Sequence, residues 1–147
     1  MGEDDRPTAP ATGDLLTLEV PAGTAYVGLV RMVAAGLASR LDLDLDHVED
    51  VRLAVTEACA VVLPEAVPGA SLRVSLHVHA DGVGIDVAAP AQVSQVPSQD
   101  SFAWTVLRAL ADQAAVSIED GTLAVRMRFS TGEDPVTIEE AAGADRS

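Results

Sequence analysis

Residues 42–63 read DLDLDHVEDVRLAVTEACAVVL. Val48, Val51, Val55, Ala58 and Val62 recur there at three- and four-residue steps, the period that gathers apolar side chains along one stripe of a helix. The entry is acidic. Asp46 is the expected N-cap, and Glu49 three residues on completes a capping box in which Asp replaces Ser or Thr. Pro64 is expected to end the helix, because a proline in its interior costs about 3 kcal/mol. Glu57 stands one helical turn before position 61, where a metal-binding side chain would share its face, yet position 61 is valine. The run Asp42, Asp44, Asp46 has the alternation of a calcium loop but lacks the glycine and the closing glutamate that such a loop requires.

Working outward, LLTLEV (15–20) reads as a strand, and Pro21-Ala22-Gly23 turns the chain into AYVGLVRMVAAGLASRL (25–41). Tyr26, Val30, Val33, Leu37 and Leu41 form the expected stripe of this first helix, with Arg31 and Arg40 off it. In LRVSLHVHADGVGIDVAA (72–89), Leu72, Val74, Leu76 and Val78 alternate with Arg73, Ser75, His77 and His79, and Asp81-Gly82 supplies a hairpin turn. His77 and His79 on the polar face are either a solvated pair or a metal pair. AQVSQVPSQDS (91–101) reads as a loop, SFAWTVLRALADQ (101–113) as a third helix, and AAVSIEDGTLAVRMRF (114–129) as a second hairpin around Glu119-Asp120-Gly121. Hairpins with helices interposed predict a two-layer α/β sandwich (α+β): one mixed, largely antiparallel sheet with helices on one face.

The chain has 147 residues, 48% of them hydrophobic, enough for one domain with a real core. Residues 1–13 and 131–147 are polar and acidic and are expected to be disordered tails around a folded body at 14–130. Nine basic against 23 acidic side chains give a net charge of −14, which disfavours direct nucleic-acid and membrane contact and favours basic protein surfaces. No apolar run reaches the roughly 20 residues of a membrane span, and MGEDDRPTAP is not a signal peptide, so a cytoplasmic location is expected. The single Cys59 fits a reducing compartment and is read as a small buried residue. Nucleophile elbow, P-loop, dinucleotide turn, triad and zinc spacing are all missing.

Three stretches taken together carry a resemblance. RMVAAGLASRLDLDLDHVEDVRLAVTEAC, a two-strand hairpin, and then TVLRALADQAAVSIEDGTLAVRM are similar to the anti-sigma factor and serine-protein kinase family of RsbW type. That family has the histidine-kinase-like ATPase (GHKL, or Bergerat) fold, and the likeness spans residues 14–130. It implies a nucleotide site built from three boxes. In the first, a glutamate acts as general base and an asparagine four residues on holds Mg²⁺. Glu57 occupies the first place and Val61, without an oxygen to offer, the second. In the next, Asp-x-Gly anchors adenine. Here the places fall on Ala89 and Ala91, and losing a charged acceptor costs about 1.5 to 3 kcal/mol. In the last, Gly-x-Gly opens onto phosphate, and here it reads Ser101-Phe102-Ala103-Trp104, whose aromatics are expected to fill the vacated cleft.

By that resemblance no cofactor is expected, and Glu57 is either a remnant general base or an ordinary helical glutamate. The implied function is an anti-sigma factor that sequesters an RNA polymerase sigma subunit and is released by an anti-anti-sigma (STAS) protein. Arg31, with Val27 one turn before it, matches the family's partner contact, and a surface arginine paired with a nearby acid is the alternative reading. The other implied function is an active serine-protein kinase using Mg-ATP on the anti-anti-sigma protein. A homodimer is common in the family.

Overall fold

The computed structural model describes residues 9–130. Strand β1 (Leu15–Pro21) leads through a 3₁₀ turn (Thr24–Tyr26) to α1 (Val27–Ala38) and α2 (Leu45–Val62). After a second 3₁₀ turn (Leu63–Glu65) follow β2 (Ser71–His79), β3 (Gly82–Pro90), α3 (Phe102–Leu110), β4 (Gln113–Glu119) and β5 (Thr122–Ser130). The five strands lie in the order β1-β2-β3-β5-β4, and every neighbouring pair is antiparallel. The largely antiparallel sheet of the sequence reading is therefore antiparallel throughout its described pairings, with no mixed edge. The reason lies in the last hairpin. β5 folds back between β3 and β4, so the parallel relation that the α3 crossover creates between β3 and β4 never becomes a direct pairing.

One face of the sheet is apolar. Leu72, Val74, Leu76 and Val78 on β2, Val83, Ile85, Val87 and Ala89 on β3, and Leu123, Val125, Met127 and Phe129 on β5 are all buried. The helix α2 lies over β3 and β5, flanked by α1 and α3, and buries Val51, Ala54, Val55, Ala58, Cys59 and Val62. Each fully buried large aliphatic side chain contributes about 1.5 to 3 kcal/mol by leaving water. The other face carries Arg73, Ser75, His77, Asp86 and Arg126, with no described helix packed on it.

Four local expectations are corrected. The N-cap of α2 is Asp44, whose Oδ1 accepts the His47 amide at 2.9 Å; Asp46 lies within the first turn. Leu43 is buried, and docking that side chain selects which aspartate of DLDLD caps the helix. Glu49 pairs with Arg52 at 2.9 Å and closes no capping box. In α1 the buried stripe is Val30, Ala34, Leu37 and Ala38, since Tyr26 belongs to the 3₁₀ turn and is 38% exposed. Helix α3 ends at Leu110, not Gln113, because Asp112 joins the sheet: its amide donates to Arg128 O at 2.9 Å and its carboxylate accepts the Ser130 amide at 2.6 Å.

The two hairpin turns differ. Asp120 and Gly121 have φ of 52° and 75°, the left-handed pair of a two-residue hairpin. Gly82 opens β3 instead of sitting in its turn, and a Cβ there would meet Phe129 O at 1.9 Å. The expected tails fall largely outside the described residues: 1–8 and 131–147 are not described, while Gly13 donates to Val78 O at 2.8 Å and so continues the β1–β2 pairing.

Candidate functional site

The α2 helix carries two flanks with different chemistry. Thr56, Cys59 and Leu63 face α1 and, with Val27, Ala22, Gly23 and Pro64, line an apolar groove of about 650 Å³. A helical step of about 100° per residue leaves Glu57 and Val61 on the opposite flank, toward α3.

The positions of the three sequence boxes lie on α2, at the end of β3 and at the start of α3. Val61 is partly buried and packs its alkyl group against the core. Glu57 is half-buried and makes no side-chain hydrogen bond or ion pair among the described residues. Ala89 is 2% exposed on the inner face of β3. Ala91 pairs with Ala66 in an isolated bridge and donates to Gly121 O at 2.8 Å, so the chain leaving β3 is stitched to the segment after α2. Gln92 adds a 2.9 Å amide bond to Glu65 O.

Ser101 caps α3: its Oγ accepts the Trp104 amide at 3.1 Å. That amide is one of the orphan donors a helix N-terminus would otherwise offer to an anion. Ala103 is half-buried in the first turn. Of the two aromatics expected to fill the cleft, Trp104 is buried at 3% exposure and Phe102 is 78% exposed. The cap at Ser101 sets this phase, since two helical steps carry the chain from the outer to the inner side of α3. Trp104 Nε1 is buried without an acceptor among the described residues, a cost of about 1 to 3 kcal/mol.

On the α1 side, Arg31 is half-buried and donates from Nη1 to Thr56 Oγ1 at 3.3 Å. It has no carboxylate partner among the described residues. Val27 is half-buried one turn earlier. Burial pushes the Cys59 thiol up to about 11, against a smaller lowering from nearby Arg31, so at neutral pH it is an unreactive apolar lining group.

His77 and His79 stack at 6.3 Å between centroids, and no group of three or more His, Cys, Asp or Glu placed to hold a metal ion exists among the described residues. No described helix is long and apolar enough to cross a membrane. The groove beside Arg31 and the orphan indole were invisible in the sequence, because each depends on residues from separate elements meeting.

The fold belongs to a known class. The chain belongs to the histidine kinase-like ATPase domain family, whose model matches residues 20–129. Among named relatives, the anti-sigma-F factor RsbW of Mycobacterium tuberculosis is 34% identical over 114 residues, covering 76% of this chain and 68% of that protein. The serine-protein kinase RsbW of Halalkalibacterium halodurans is 36% identical over 75 residues, covering 50% of this chain and 46% of that protein. The crystal structure of the RsbU and RsbW domains of a Mycobacterium tuberculosis protein superimposes with a TM-score of 0.66 at 13% identity, which establishes likeness of fold. It covers 82% of this chain, which spans about a third, 33%, of that longer chain.

Proposed function

We propose that the protein is a cytoplasmic anti-sigma factor: it sequesters an RNA polymerase sigma subunit by docking and yields it to a competing anti-anti-sigma (STAS) protein. The observation that carries this reading is the 34% identity over 114 residues to a protein named anti-sigma-F factor RsbW. Arg31 supports it as the partner contact, because a half-buried guanidinium without a carboxylate among the described residues, in a chain of net charge −14, is a local cation on an acidic protein. The overall acidity favours encounter with basic sigma domains.

Binding and turnover of Mg-ATP are proposed to be weak or lost. Val61, Ala89, Ala91, Ser101 and Ala103 stand where the family resemblance puts magnesium, adenine and phosphate contacts, and a packed alkyl group offers no oxygen to Mg²⁺. The competing reading is an active serine-protein kinase. It is favoured by Glu57 and by relatives of that name, such as the one 36% identical over 75 residues. Phosphate on the antagonist would add about −1.5 to −2 charges and weaken its docking on an acidic surface.

Capture of a purified sigma subunit by the immobilised chain tests the first reading; failure to retain any sigma subunit of the native cell overturns it. Labelled phosphate appearing in an anti-anti-sigma protein would overturn the loss of kinase activity.

A further inference from the structure

A second hollow, of about 490 Å³, lies between α3 and β4, on the side of the fold away from the groove beside Arg31. It is walled by Trp104 and Arg108 of α3, by Asp112 of the connecting turn and by the first four residues of β4, with Gln99 at its margin. Three features of this place ask for an occupant. The first is an open edge. β4 pairs only with β5 among the described residues, and its sequence QAAVSIE contains no proline and no basic side chain, with its one acid at the last position. Sheet edges are ordinarily blunted by such groups or by a covering element. Its inward residues Ala114, Val116 and Ile118 are only partly buried, while their counterparts on β2, β3 and β5 are buried.

The second is the Trp104 Nε1–H, a donor in a side chain 3% exposed that has no acceptor among the described residues. The third is Arg108, an exposed cation in the last turn of α3 without a carboxylate partner among the described residues. The acid beside it, Asp112, is engaged by the Ser130 amide at 2.6 Å.

We propose that this groove receives an extended, carboxylate-bearing segment of a partner protein, which adds to the free edge of β4 as a further strand. Main-chain groups of the segment pair with the β4 edge, alternate side chains cover Ala114, Val116 and Ile118, and acceptors reach Arg108 and the Trp104 indole after a small local adjustment. A second copy of the chain fits less well, since it brings a net charge of −14 against −14 where a short segment brings one or two carboxylates. Nothing in this proposal depends on sigma capture or on nucleotide.

The test uses the full chain, labelled with ¹⁵N and titrated with a synthetic hexapeptide of alternating threonine and valine ending in glutamate with a free carboxylate. Expected are amide shifts at alternate residues of Gln113–Glu119, a downfield move of the Trp104 Nε1–H, and a change in emission of this sole tryptophan. Arg108→Glu, at an exposed position, is expected to weaken the peptide at least about tenfold with its melting temperature unchanged. Absent shifts, shifts along β1 instead, or equal affinity of the Arg108→Glu chain would overturn the proposal. So would concentration-dependent dimerisation through the same β4 amides without peptide, which would assign the edge to a second copy.

Discussion

Arg31 on α1 donates to the Thr56 hydroxyl on α2 over 3.3 Å, and Thr56 in turn donates to the Arg52 carbonyl at 3.0 Å. This chain of neutral acceptors holds the guanidinium in place beside the apolar groove, and no carboxylate among the described residues neutralises it. A cation so fixed loses little conformational freedom when a partner's carboxylate arrives.

Arg31→Glu is therefore expected to weaken sigma capture by at least about a hundredfold, the range of an interfacial hot spot. The circular dichroism spectrum and melting temperature should stay near wild type, because the one described side-chain hydrogen bond of Arg31 is to a hydroxyl. Titration calorimetry with purified sigma subunit is the measurement, and unchanged affinity removes Arg31 from the interface.

Mg-ATP should leave the melting temperature of the chain unchanged. A working site at a hundred times its dissociation constant adds about 2.7 kcal/mol, which differential scanning fluorimetry registers easily. The chain carrying Val61→Asn, Ala89→Asp and Ala91→Gly together is expected to gain a nucleotide-dependent shift, and an unchanged melting temperature would show that these three positions are not what limits binding.

At the start of α2, Asp44→Ala should lower the melting temperature by a few degrees, while Asp46→Ala leaves it nearly unchanged. The pair is also pH-dependent. The His47 amide and then its ring, both bonded to Asp44, hold that carboxyl below its usual 3.8, so this contribution is present above 3.8 and fades as pH falls through the lowered value. The bond to Asp44 chiefly raises His47 above its usual 6.5, so its share is complete below 6.5 and fades as pH rises through the raised value. The difference in melting temperature between wild type and Asp44→Ala should thus peak between those limits and shrink on both sides.

Gly82→Ala should destabilise by about 3 kcal/mol, because its Cβ would lie 1.9 Å from Phe129 O in the adjacent strand. Gly121→Ala, with open space around it but φ of 75°, should cost about 1 to 2 kcal/mol. Urea melts of the two variants would measure both costs, and equal losses would remove the contact with Phe129 O as the larger of the two.

Cys59, with its thiol at about 11, has about one molecule in a thousand ionised at pH 8 and is 1% exposed. Alkylation by iodoacetamide should be very slow in the native state and fast in urea. Rapid native alkylation would mean that the groove floor opens readily.

Local pattern determined most of the fold. The alternation along β2, the valine stripe of α2 and the Asp120-Gly121 turn are short-range signals, since side-chain direction follows from a period of two or 3.6 residues. At the candidate site the residue types Val61, Ala89 and Ala91 were legible too, since they are read directly from the chain. Tertiary structure decided what depends on competition between distant groups. Asp44 became the cap once Leu43 was buried, and α3 ended early because Asp112 was drawn to Arg128 and Ser130. Phe102 was turned outward by the Ser101 cap, and Arg31 was set against a hydroxyl, not an acid. In each case several local choices were nearly equal in free energy, and a long-range contact chose among them.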